Sequence, residues 1–157
     1  LFGYESITIQ SPRELQCRVL KSGIAEGPLW GGNMCLLVNR LGTADQLNTS
    51  GTILFIEDID EYLYAFDRMI VHMKEAGMFQ NISGLIIGEL VDMKDQDIPF
   101  GKSTDEIVMN VCSDLDIPII SNFPCGHGVF QSTLPISIPV QLDTKSHSLT
   151  LLESPVK

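Results

Sequence analysis

The stretch "GTILFIEDIDEYLYAFDRMIVHMKEAGMFQNISGLIIGEL" (residues 51–90) changes its hydrophobic period twice. Residues 51–58 form a short apolar run that stops abruptly in acid, as a buried strand does. Tyr62, Phe66, Met69, Ile70 and Met73 then recur at helical spacing as one buried stripe. Asp60 is placed to cap that helix and Gly77 to end it. The segment ISGLIIGEL (82–90) reads as a second buried strand. Strand, helix and strand in succession describe a sheet with helical crossovers.

Working outward, ITIQ (7–10) and the region 15–23 read as short strands. LWGGN (29–33) reads as a glycine turn that ends in Asn33, a helix N-cap. Met34, Leu37, Val38 and Leu41 follow at helical spacing, and Gly42 is a natural stop. Beyond the central segment, residues 91–103 form a polar, proline-bearing loop or flap. Ser103 and Glu106 make a capping box, and Ile107, Val108, Val111, Cys112 and Leu115 share one helix face. DIPIISNFP (116–124) is a strand running into a Gly-His-Gly turn. TLPISIPVQLD (133–143) and SLTLLE (148–153) close the chain as strands, and the prolines of the first suggest a sheet edge. The expected fold class is α/β, one domain over residues 1–157, with a mixed sheet and flanking helices.

Bulk composition narrows the function classes. A chain of 157 residues can form a full core without metal or disulfide staples. Its net charge of −10 and lack of a basic cluster argue against nucleic acid and against an anionic membrane surface. No apolar run approaches the ~18–20 residues of a membrane span, and no signal peptide is evident. The four cysteines, at 17, 35, 112 and 125, show neither CxxC nor zinc spacing. A metal-free, cofactor-free, cytoplasmic protein is expected. The chain begins with Leu1, consistent with a piece of something longer.

In an open sheet, functional groups gather beyond the carboxyl ends of the strands. "TILFIED" delivers Glu57 and Asp58 there, and "PIISNFPCGHG" delivers His127 between two glycines. If those strands are neighbours, a carboxylate meets an imidazole at one rim. The carboxylate would fix the ring tautomer and leave the other nitrogen as a general base. Spacing alone does not choose between Glu57 and Asp58. His72 and His147 read as exposed or structural. Cys125, two residues before His127, is poorly placed to be a thiol nucleophile.

The ordered set "SGIAEGPLWGGNMCLLVNRLGT", "ILFIEDIDE", "LIIGEL" and "PIISNFPCGHG…TLPISIPVQLD" resembles the carboxyl-terminal domain of the LD-carboxypeptidase family. These are serine peptidases related to the microcin C self-immunity proteins, and the resemblance spans roughly residues 18 to 153. It implies a swivelling β/β/α-type domain, with Glu57 as the triad carboxylate and His127 as the base. It also implies substrate-side positions at Asn33 and Glu61, an acid at 61 favouring a peptide over a nucleotide. The implied reaction is removal of a terminal D-residue, such as D-Ala, from murein tetrapeptides. The implied partners are an amino-terminal domain of the same protein, which carries the nucleophilic serine, and a second copy in a homodimer. The segment "GYES" (3–6) is only a superficial echo of the family's Gly-Tyr-Ser-Asp nucleophile turn. An immunity-type amidase and a non-catalytic binding module are the competing readings.

Overall fold

Strand β4 (Ile53–Ile59) is apolar on both faces because it lies between two cores. On one face Leu54 and Ile56 pack with Leu85 and Ile87 of β5 (Gly84–Val91), Phe66 and Ile70 of α2 (Leu63–Glu75), and Ile107 of α3 (Thr104–Cys112). On the other, Ile53 and Phe55 pack with Ile86, with Val140 and Leu142 of β7 (Pro139–Asp143), and with Leu149 and Leu151 of β8 (Ser148–Leu151). Period-2 alternation thus sends successive residues to a helical layer and to a second β layer. A fully buried side chain of this kind contributes roughly 1.5–3 kcal/mol, so the two cores are what order the sheet.

The computed structural model describes residues 6–155, and the start of the GYES segment lies outside them. The remaining elements are β1 (Thr8–Gln10), β2 (Arg18–Lys21), β3 (Ile24–Asn33), α1 (Met34–Asn39) and β6 (Ile119–Gly126), with a 3-10 turn at Arg13–Leu15. The sheet order is β1-β8-β7-β3-β4-β5-β6-β2. Strands β3, β4, β5 and β6 run parallel to one another, while β1, β8, β7 and β2 pair antiparallel with their neighbours. β3 changes partner at its midpoint. Ile24–Pro28 pair with β7 and Leu29–Asn33 with β4, so this one strand joins the two layers. The α/β class with a mixed sheet and flanking helices is what the residues form.

Several local expectations need correction. LWGGN is not a turn but the second half of β3. Gly31 serves close approach: a Cβ there would fall 1.8 Å from the carbonyl oxygen of Phe55 on the neighbouring strand. Asp60 does not cap α2. It sits at φ +61 and pairs with Lys94 at 2.5 Å, while Tyr62 occupies the cap position without a side-chain bond. Tyr62 is exposed rather than part of the buried stripe, and its ring lies beside Tyr64. The strand expected at 133–143 begins only at Pro139, and it is interior, between β3 and β8. Pro139 is tolerated because it is the first residue of the strand and faces Pro28, so neither side loses a ladder donor there. The Ser103–Glu106 capping box forms as read.

Candidate active site

Glu57 lies near the end of β4 and His127 follows the last residue of β6. The two strands are not neighbours, the condition under which the sequence brings these groups together; β5 runs between them. The side chains meet across it. His127 Nδ1 lies 2.7 Å from Glu57 Oε2, with the carboxylate buried and about half of the imidazole exposed. Two local features let the pair span a strand. The β5–β6 ladder shifts register on either side of Gly88, which bends the end of β6 over β5. Gly88 itself presents no side chain: a Cβ there would fall 2.5 Å from the Cys125 carbonyl oxygen and 3.0 Å from Glu57 Cβ.

An ionised carboxylate can only accept a hydrogen bond, so beside it Nδ1 carries the hydrogen and the neutral ring keeps its lone pair on Nε2. An imidazole oriented by a buried acid in this way can take a proton from a hydroxyl and return it to a leaving group. Cys125 cannot take the nucleophile's place. Burial, with Glu57 and Glu89 nearby, pushes its thiol up to about 12, and the side chain is in the core.

Asn33 stands directly opposite Glu57 in the β3–β4 ladder. Its Oδ1 accepts the Leu36 N–H as the cap of α1, and its Nδ2 donates to Asp58 Oδ1 at 3.1 Å. The consecutive acids therefore divide their work: Glu57 turns to His127, Asp58 to Asn33. Glu61 is further from this arrangement in its bonding, its carboxylate accepting the Tyr62 N–H. His72 is exposed on α2, and His147 sits at φ +52 in the β7–β8 turn. Among the described residues, no group of three or more His, Cys, Asp or Glu side chains is arranged to hold a metal ion. No helix of the described residues is long and apolar enough to cross a membrane.

Sequence reading missed Glu89. This acid of "LIIGEL" is buried beneath the His127 turn, and burial raises its carboxyl above the usual range despite the nearby Phe130 backbone N–H. The available signal was an acid inside an otherwise apolar strand, directly after a glycine.

An α/β domain that presents a hydrogen-bonded carboxylate and imidazole at the ends of its parallel strands has the make-up of a hydrolase domain. The chain belongs to the LD-carboxypeptidase C-terminal domain family, whose pattern it matches over residues 26–142. It is 28% identical over 153 residues to the microcin C7 self-immunity protein MccF of Escherichia coli, covering 92% of this chain and 43% of that protein. It is 26% identical over 111 residues to the murein tetrapeptide carboxypeptidase of Pseudomonas aeruginosa, covering 70% and 36%. The crystal structure of muramoyltetrapeptide carboxypeptidase from Oxalobacter formigenes superposes with a TM-score of 0.75 at 30% identity, over 94% of this chain and 49% of that one. The chain thus spans less than half the length of each of these relatives.

Two outcomes follow from the geometry. Gly88→Ala inserts a methyl group against backbone and is expected to cost about 1–3 kcal/mol in chemical denaturation, and to abolish the low-field proton signal of the Glu57–His127 bond. Glu89 has a folded carboxyl raised above its unfolded value, so the folded state binds more protons. Its stabilising contribution is complete below the ordinary value of about 4.3 and is lost as pH rises through the raised one. Glu89→Gln should remove that decline, read as the difference between the two proteins' unfolding midpoints across a pH series.

Proposed function

We propose that this chain is the carboxyl-terminal catalytic domain of a serine LD-carboxypeptidase that removes a terminal D-residue, D-Ala, from murein tetrapeptides in the cytoplasm. His127 acts as general base and Glu57 orients it. The nucleophilic serine and the oxyanion-hole amides come from an amino-terminal domain that the 157 residues do not include. In acylation, His127 Nε2 takes the serine proton as the oxygen attacks the carbonyl of the bond to the D-residue. The same proton then passes to the departing amine, and water repeats the sequence to release the acyl group. Asn33 and Glu61 face the substrate, and the working protein is a homodimer that needs no cofactor.

The observation that supports this reading best is the 2.7 Å contact between His127 and the buried Glu57, within the matched family span. A binding module has no use for a half-exposed imidazole held by a buried acid. The MccF relationship keeps a second reading in view, an immunity-type amidase acting on aminoacyl or peptidyl nucleotides. An acid at position 61 favours the peptide, since a nucleotide phosphate calls for a cation.

In the full-length protein, His127→Ala should lower turnover of muramoyl tetrapeptide by several orders of magnitude. The residual catalysis from the oxyanion hole and binding should be on the order of 10³–10⁴ over water. A near-normal rate would remove His127 from the mechanism. The 157-residue chain alone should release no D-alanine from muramoyl tetrapeptide and should leave an aminoacyl-adenylate analogue intact by mass spectrometry. Product release abolished by a Ser or Cys substitution within this chain would place the nucleophile here instead.

A further inference from the structure

Glu89 is a buried acid that the proposed chemistry leaves unused, and its surroundings are the turn that carries His127. The ladder sets Glu89 opposite Gly126, so the chain leaving β6 passes over its side chain. At Gly128 the approach is close enough that a Cβ would fall 2.0 Å from Glu89 Oε2. Two residues on, the Phe130 backbone N–H lies near enough to the carboxylate to oppose the rise that burial gives it. On the other side of the histidine, Gly126 sits at φ +115, where a Cβ would fall 3.0 Å from Glu57 Oε2. His127 is therefore flanked by two glycines, one pressed on Glu57 and the other on Glu89.

Beyond the Ser132 N–H to Pro124 carbonyl bond that closes the turn and the Gln131 amide that donates to the Gly128 carbonyl, its tip is exposed. Val129 is 92% exposed and so contributes no apolar anchor. Glu89 meanwhile has an oxygen, Oε1, that is buried without a hydrogen-bond partner among the described residues. A buried, under-satisfied carboxylate costs stability, and such a group in a native fold calls for a compensating role. We propose that Glu89 is the positioning residue of the His127 turn: residues 126–130 fold around its carboxylate, which fixes the imidazole at bonding distance from Glu57. The burial that raises its carboxyl is consistent with a group that faces backbone rather than a cationic partner. The consequence for turnover rests on the reading of His127 as the base, whereas the placement of the ring can be read without any substrate.

The test is nuclear magnetic resonance on the 157-residue chain with Glu89→Gln, Glu89→Ala and Gly128→Ala. Gln retains the side-chain shape on which Gly128 packs; Ala does not. Glu89→Ala should speed amide exchange at Gly128 and Phe130 by about tenfold or more, as the turn opens locally without that support. It should also abolish the low-field Nδ1 proton signal of His127. Glu89→Gln should restore both, and Gly128→Ala should reproduce the loss, because the new methyl group cannot share space with the carboxylate. Should Glu89→Ala fail to fold, the other two variants decide. Unchanged exchange and an intact Nδ1 signal in Gly128→Ala, or loss of both in Glu89→Gln, would overturn the positioning role. These readouts do not depend on hydrolysis, so a catalytic role for His127 can fail while the positioning of its ring holds.

Discussion

The contact between Glu57 and His127 is made across an intervening strand, and much of the local architecture follows from that requirement. Two side chains on next-but-one strands lie about two strand spacings apart, roughly 9–10 Å, too far for a direct hydrogen bond in a regular ladder. The gap closes because β6 leaves its register with β5 and bends over it, and because β5 carries a glycine at the crossing point. The same bend brings the backbone of Gly126 to Glu57 and of Gly128 to Glu89. Irregularities in both ladders of β5, at Glu57 on one side and around Gly88 on the other, thus set the positions of an imidazole and two carboxylates.

Burial and exposure are divided within the pair in a way that suits proton transfer. Glu57 is enclosed among core strands, where it cannot swing to solvent. The ring of His127 is about half exposed, and its Nε2 is the nitrogen not engaged by Glu57. The rest of the rim is organised by local bonds: Asp58 holds Asn33, and Asn33 caps α1. Asn33 retains one amide N–H beyond these bonds, which is the donor that would face a substrate under the proposed function. Hydrophobic packing on both sides of β4 fixes this rim to the two cores, so the polar groups are held by rigid elements rather than by loops alone.

The strands at 53–59 and 84–91, the helices at 63–75 and 104–112, and the capping box at Ser103 were legible because each rests on a short-range pattern. A strand-end acid and a glycine-flanked histidine were also visible as two candidates. Strand order was not, since period-2 alternation records which residues are buried but not which strand lies beside which. That is why the pattern leaves open whether β4 and β6 are neighbours. Prolines misled for β7, because a Pro–Pro pairing at the point where β3 changes partner is a tertiary arrangement. Glu89 was missed for a related reason. The acid is buried by the chain leaving β6, a segment remote from it in sequence.

The most direct measurement is the ¹⁵N spectrum of the His127 ring in the 157-residue chain, taken where the imidazole is neutral. Nitrogen shifts distinguish the two tautomers, and free imidazole places its proton mainly on Nε2. A buried Glu57 accepting from Nδ1 should invert that preference, giving a ring protonated at Nδ1, and Glu57→Ala should restore the free pattern. An Nε2-protonated ring in the unmodified chain, unaltered by Glu57→Ala, would contradict the carboxylate–imidazole pairing on which the site is built.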